Sequence, residues 1–258
     1  MVSTGTHIST QSFRASKQAA WLSIAGAIFG MLAGVVVALN LLALALRLIQ
    51  PVYPSVHPRS AQQLAMLFAT GSGAGELLLL IVLWLILRRK NDSFGRLGLW
   101  KSSPWIGWLA GLVVAVYYVV YAVVGFHTGS AHLPLTMIFF EPSLFHIYTA
   151  LVLGLSAGLC EEVVFRGYLM TRLADAGYGW IVQVIASGAL FGLAHGLYGF
   201  SQGLSNGLDI VSHTALLGAL FAGVYLLSRR SLMPCILCHF LNDAIVLPWV
   251  FLQMFHAR

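Results

Sequence analysis

Three short stretches of the chain carry acid–base side chains at helical spacing. The first, GLCEEVVFRGYL at 158–169, sets Glu161, Glu162 and Arg166 inside an otherwise apolar run. Glu162 and Arg166 are four apart with the acid first, the favourable order for an ion pair along one helix face. Glu161 is turned about 100° from its neighbour and has to find another partner. Two adjacent acids also repel, which together with burial suits one of them to work as a general base.

The second stretch, FGLAH, places Phe191 and His195 on one helical face. By itself such a histidine serves interhelical packing as readily as chemistry. The third, HFLND, sets His239 and Asp243 four apart. A carboxylate there can hold the histidine's tautomer or sit beside it at a metal; a self-satisfied polar pair between helices is the alternative. Taken together, the three stretches make a two-histidine, carboxylate-rich cluster. That is the inventory of a hydrolytic zinc site or of a glutamate-activated water.

The elements that must position these groups are membrane helices. The chain has 258 residues, 59% hydrophobic and only 9% charged, with a mean hydropathy of +0.86. Soluble domains carry about 25% charged residues, and apolar windows long enough to cross a bilayer recur along this sequence. They run at about 19–46, 65–87, 104–125, 143–160 (continuing through the charged motif to about 174), 178–196, 209–228 and 232–255. The fold class is therefore all-α, a polytopic transmembrane bundle of seven to eight helices, since the first run is long enough for two. One membrane domain over 1–258 accounts for the chain, with N-terminal helices in 1–142 and the motif-bearing region in 143–258. Such a chain is a multi-pass integral membrane protein, of the cell membrane in a prokaryote or the endoplasmic reticulum in a eukaryote.

The formal net charge of +6 does not point to nucleic acid, because the basic residues fall between spans and no long basic patch exists. Arg14 and Lys17, then Arg88, Arg89, Lys90, Arg96 and Lys101, then Arg172 and Arg229–Arg230 mark alternate loops. These loops and the N-terminus are assigned to the cytoplasmic side, in reach of anionic lipid heads. The segment RRKNDSFGRLGLWK is expected along that interface, with Phe94, Leu97 and Trp100 dipping into it. The opening MVSTGTHISTQSFRASK lacks a signal peptide's layout, so the first helix is expected to be retained. Gly26, Gly30 and Gly34 form a flat packing stripe on it.

A charge near the bilayer centre costs roughly 2.5–3.5 kcal/mol, so two further polar residues need reasons. His213 lies near Asp209 and reads as interfacial. Glu76, in GSGAGELLLL, has no evident partner; Arg47 or a place lining a substrate gap are the options. PCILCHF spells the attachment pattern of a c-type haem, but its position in an apolar helix favours Cys235 and Cys238 as small packing residues. Counting along helices at ~1.5 Å per residue, Glu161 and His239 lie on the order of 15 Å from the cytoplasmic clusters and His195 nearer 25 Å. Tilt or a later helix start must bring His195 level.

EEVVFR, FGLAH and HFLND, in this order on successive spans over residues 143–247, resemble the EExxxR, FxxxH and HxxxN/D motifs of the CPBP family. These are the CAAX prenyl endopeptidase and bacteriocin-processing (Abi) intramembrane proteases. The resemblance implies an intramembrane metalloendopeptidase in which Glu161 acts as catalytic glutamate, His195 as the essential second-motif histidine, and His239 with Asp243 as the third pair. Asp243 stands where other members use Asn, which removes a hydrogen-bond donor and adds charge. Glu162, Arg166 and Phe191 are expected to support the site. Zinc is the implied cofactor, with Glu161, His195, His239 and Asp243 as its ligands. The implied partners are membrane lipid and a prenylated or otherwise hydrophobic peptide, with water reaching the site through a polar cavity from the cytoplasmic side. Two rivals stand beside this reading: a non-catalytic scaffold or immunity protein of the same fold, and a proton-coupled transporter. The inverted repeats of many transporters are not found.

Overall fold

The computed structural model describes residues 17–52, 60–128, 143–200 and 203–256. Among the described residues seven helices are long and apolar enough to cross a membrane: α1 Lys17–Ile49, α2 Ala61–Arg89, α3 Trp105–Thr128, α4 Leu144–Asp175, α5 Trp180–Phe200, α6 Leu204–Leu227 and α7 Met233–His256. The long first apolar run is one helix, so an eighth element is not needed. Arg14, used above to orient the chain, lies outside the described residues.

The helices face outward with apolar side chains, as a lipid solvent requires. On α2 the buried face runs from Ala65 and Ala69 through Gly71, Ser72, Gly73, Gly75 and Glu76 to Leu79, Leu83 and Leu87, while Leu77, Leu78, Ile81 and Trp84 stand outward. Ser60 starts this helix by accepting the Gln63 N–H at 3.2 Å, an N-cap. The glycine stripe of α1 is used in part. A Cβ on Gly34 would lie 3.1 Å from the Gly75 carbonyl oxygen and one on Gly30 3.5 Å from Leu79, whereas Gly26 faces open space. The tighter contact comes from α2, where a Cβ on Gly75 would lie 2.5 Å from the Val35 Cα. Close backbone approach of this kind replaces the hydrophobic driving force that lipid removes.

Helix α4 carries the first motif and departs from regular α geometry twice, with π-helical turns at Ala150–Gly154 and Glu162–Leu169. Wide turns of this type recur at functional sites because they re-aim side chains. Gly154 and Gly158 let α7 come close: a Cβ on Gly158 would lie 3.2 Å from the Phe240 nitrogen. Thus the glycine before the two glutamates brings the helix of His239 against them.

The segment after α2 does more than lie along an interface. Leu97 is fully buried, Phe94 packs against the same core, and Trp100 points outward at 79% exposure. The Leu97 carbonyl accepts from the Tyr225 hydroxyl at 2.9 Å, Gly98 O from the Leu232 N–H at 3.0 Å, and Lys101 O from the Ser231 hydroxyl at 2.6 Å. The expectation that Leu97 dips into the membrane interface is corrected: it enters the protein core. Several basic residues here are paired rather than free for lipid. Arg96 bridges Asp92 and Asp175 at 2.8 Å each, and Arg172 binds Asp92 at 2.7 Å.

This packing removes the difficulty over depth. Helix α4 runs on to Asp175, so Glu161 lies roughly 21 Å from its end and His195 roughly 22 Å from the start of α5 at Trp180. His239 is only about 9 Å into α7, because the turn before it, with Ser228, Ser231 and Leu232 wholly buried, starts inside the protein.

Candidate functional site

Glu162 and Arg166 pair at 2.7 Å with both side chains fully buried. The guanidinium also donates to the Gly218 carbonyl at 3.1 Å and lies 4.5 Å from the centre of the Phe191 ring and 5.0 Å from that of Phe221. Phe191 thereby gives Arg166 an aromatic face while its other neighbour, the His195 ring, sits 4.4 Å away. Buried charge is tolerated when it is paired and hydrogen-bonded in this way.

The same Glu162 oxygen reaches α7. His239 Nδ1 lies 2.8 Å from Glu162 Oε1, and an ionised carboxylate only accepts, so Nδ1 carries the proton. His195 Nδ1 lies 2.9 Å from the Phe191 carbonyl, which again fixes the proton on Nδ1. Both imidazoles therefore turn Nε2 inward. Each Nε2 stands 3.7 Å from Glu161 Oε2, a buried oxygen with no hydrogen-bond partner. Asp243 Oδ2 completes the group, 3.5 Å from His239 Nε2. All four sequence-derived residues thus meet at one place.

From the sequence, Asp243 could orient His239 or sit beside it at a metal. The structure gives the orienting task to Glu162, and Asp243 faces the opposite ring nitrogen. Sequence reasoning also left Glu76 unplaced: it is 7% exposed, lines the same cavity, and its Oε2 has no partner. Arg47 is exposed and makes no pair with it. The signal available was its cost: an acid in the middle of a span demands a reason. His213 is exposed, 3.2 Å from Asp209 and stacked on Tyr121. Cys235 and Cys238 are buried free thiols that donate to the carbonyls of Phe221 and Gly111.

The cavity holding these groups measures about 500 Å³. It differs from the polar, cytoplasm-facing channel expected. Its wall is largely apolar, and Val36 of α1 and Leu197 of α5, each more than half exposed, stand at its rim. Val36 lies roughly 28 Å along α1, so the rim opens at membrane depth.

As donors, two neutral imidazoles and two carboxylates suit zinc. As placed, however, no three His, Cys, Asp or Glu side chains among the described residues converge closely enough to hold an ion.

Seven spans enclosing a buried glutamate–histidine cluster shared by four helices define a polytopic membrane protein with an intramembrane polar site. Residues 142–245 match the family model described as Type II CAAX prenyl endopeptidase Rce1-like. Over that stretch the chain is similar to the CAAX-protease (CPBP) family, a family of peptidases, while α1–α3 lie outside the match. Neither the comparison with curated proteins nor that with solved structures gave a match.

Proposed function

We propose that the chain is an intramembrane endopeptidase that hydrolyses a peptide bond of a hydrophobic or prenylated, membrane-associated substrate. The observation that carries this reading is the buried, unpartnered Glu161 Oε2 equidistant from the Nε2 atoms of His195 and His239. A water molecule held among them would donate one hydrogen bond to Glu161 and the other to a neutral imidazole.

In the reaction, Glu161 removes a proton as the water oxygen bonds to the peptide carbonyl carbon. The proton then passes from Glu161 to the amide nitrogen, the C–N bond breaks, and a carboxylate and an amine leave. The second water proton stays on the hydroxyl of the tetrahedral intermediate and passes to the facing imidazole Nε2 as the C–N bond breaks, so that the acid product leaves as a carboxylate. Glu162 holds His239 in register for this, and Phe191 holds His195 through its carbonyl. A zinc ion would need Glu161, His195, His239 and Asp243 to draw closer together than they stand here, and held there it would supply positive charge to the oxyanion. The apolar cavity wall supports a hydrophobic substrate, and its lipid-level rim supports lateral entry.

The test is peptide release by the purified full-length protein in detergent or liposomes. Glu161→Gln is expected to abolish release while the protein stays folded; turnover equal to wild type would remove Glu161 from the mechanism. Zinc is tested in the same preparation. Activity lost on chelation and restored by zinc supports it, and full activity in metal-free protein excludes it.

A further inference from the structure

Glu76 is supplied by α2, outside the stretch that matches the family model. It lines the cavity together with Glu161, His195, His239 and Asp243, and among the described lining residues there is no Lys or Arg. Three carboxyl side chains therefore face one desolvated space whose basic lining groups, among the described residues, are the imidazoles of His195 and His239. Arg166, the nearest buried guanidinium of the motif helix, is committed to Glu162 and the Gly218 carbonyl.

Glu76 is also held firmly in place. Gly75 beside it packs on the α1 backbone at Val35, and Gly73 packs on Ser156 and Val152 of α4. It is 7% exposed and its Oε2 accepts no hydrogen bond. A buried acceptor left without a donor costs about 1–3 kcal/mol, more when charged. Such an atom persists at a wall when something that occupies the cavity completes it. The missing component is a cationic donor, since it would satisfy Glu76 and relieve the repulsion among the three acids.

We infer that Glu76 is a specificity-determining residue that receives a cationic nitrogen of the substrate, a lysine or arginine side chain or a free amino group near the scissile bond. The inference rests on the peptidase reading for the identity of the substrate, not for the charge complementarity. A substrate whose free C-terminal carboxylate entered this cavity would meet three acids, so the bound segment presents positive or neutral groups there.

The experiment compares hydrophobic peptides that are identical except for one residue beside the cleaved bond, lysine against norleucine, both N-acetylated. A third peptide carries norleucine with a free amino terminus. Each is measured for kcat/KM with wild type and with Glu76→Gln, and for binding to Glu161→Gln, which is competent to bind but not to turn over. Wild type should favour at least one cationic peptide over the neutral one by roughly tenfold or more, and that ratio should fall toward one in Glu76→Gln. The free-amine peptide decides which nitrogen is read. A purely structural role for Glu76 would lower all peptides together and keep the ratio, which overturns the inference, as does a wild type that treats the three peptides alike. Cleavage that survives in Glu161→Gln removes the peptidase mechanism instead, while the binding ratio still reports on Glu76.

Discussion

His239 Nδ1 donates to Glu162 Oε1 across 2.8 Å, so a side chain of α4 decides which nitrogen of an α7 imidazole faces the cavity. Glu162 accepts from Arg166 through the same oxygen, and a single substitution therefore strikes two partners. Glu162→Gln leaves the Arg166 charge buried and uncompensated, an effect of about 3–5 kcal/mol, and releases the His239 tautomer. Thermal unfolding in detergent should show a much lower midpoint. Replacing both partners, Glu162→Gln with Arg166→Met, should recover part of it without recovering activity. A single variant as stable as wild type would contradict the account of the pair.

The two histidines differ in what else they hold. His195 is one-third exposed and its short hydrogen bond is to the Phe191 carbonyl of its own helix, with Glu161 farther off at 3.7 Å, so His195→Ala should change stability by less than about 1 kcal/mol and lower kcat by roughly 100-fold or more. His239→Ala should cost about 1–3 kcal/mol as well, because Glu162 loses a buried donor. Equal stability losses in the two variants would show that the interhelical bond carries no weight.

The α1–α2 contact offers a steric test with an internal control. Gly75→Ala forces a Cβ to within 2.5 Å of the Val35 Cα and should destabilise by about 1–3 kcal/mol. Gly26→Ala, on the same helix pair but facing open space, should be near neutral. Parallel unfolding curves for the two would argue against close backbone approach at Gly75.

Asp92 joins the loop after α2 to α4. Burial works against its ionised form, but hydrogen bonds from Arg172, the Ser93 N–H and Arg96 outweigh it and hold its carboxyl below the ordinary carboxylate range. A folded-state value below the unfolded one means the stabilisation is present above about pH 4 and drains away as pH falls through the folded value. The unfolding midpoint of wild type should therefore drop below about pH 4 more steeply than that of Asp92→Asn. Superimposable acid profiles would dismiss this linkage.

The composition and apolar runs alone marked the spans, and their limits agree with the helices to within a few residues, because lipid permits few other structures to cross it. Glu161, Glu162, Arg166, His195, His239 and Asp243 were legible as candidates, since each charge in a span has a cost that calls for a reason, and the i,i+4 pair Glu162–Arg166 is a local relation that spacing alone can state. What spacing along one helix could not state is which side chains meet between helices. That Glu162, rather than Asp243, holds His239, that Phe191 serves Arg166, that Leu97 enters the core, and that Glu76 joins the cavity from α2 all depend on how glycine-lined faces bring separate helices together. Those approaches are set by the complementarity of whole surfaces, a property that belongs to pairs of helices and is written in neither strand of sequence by itself.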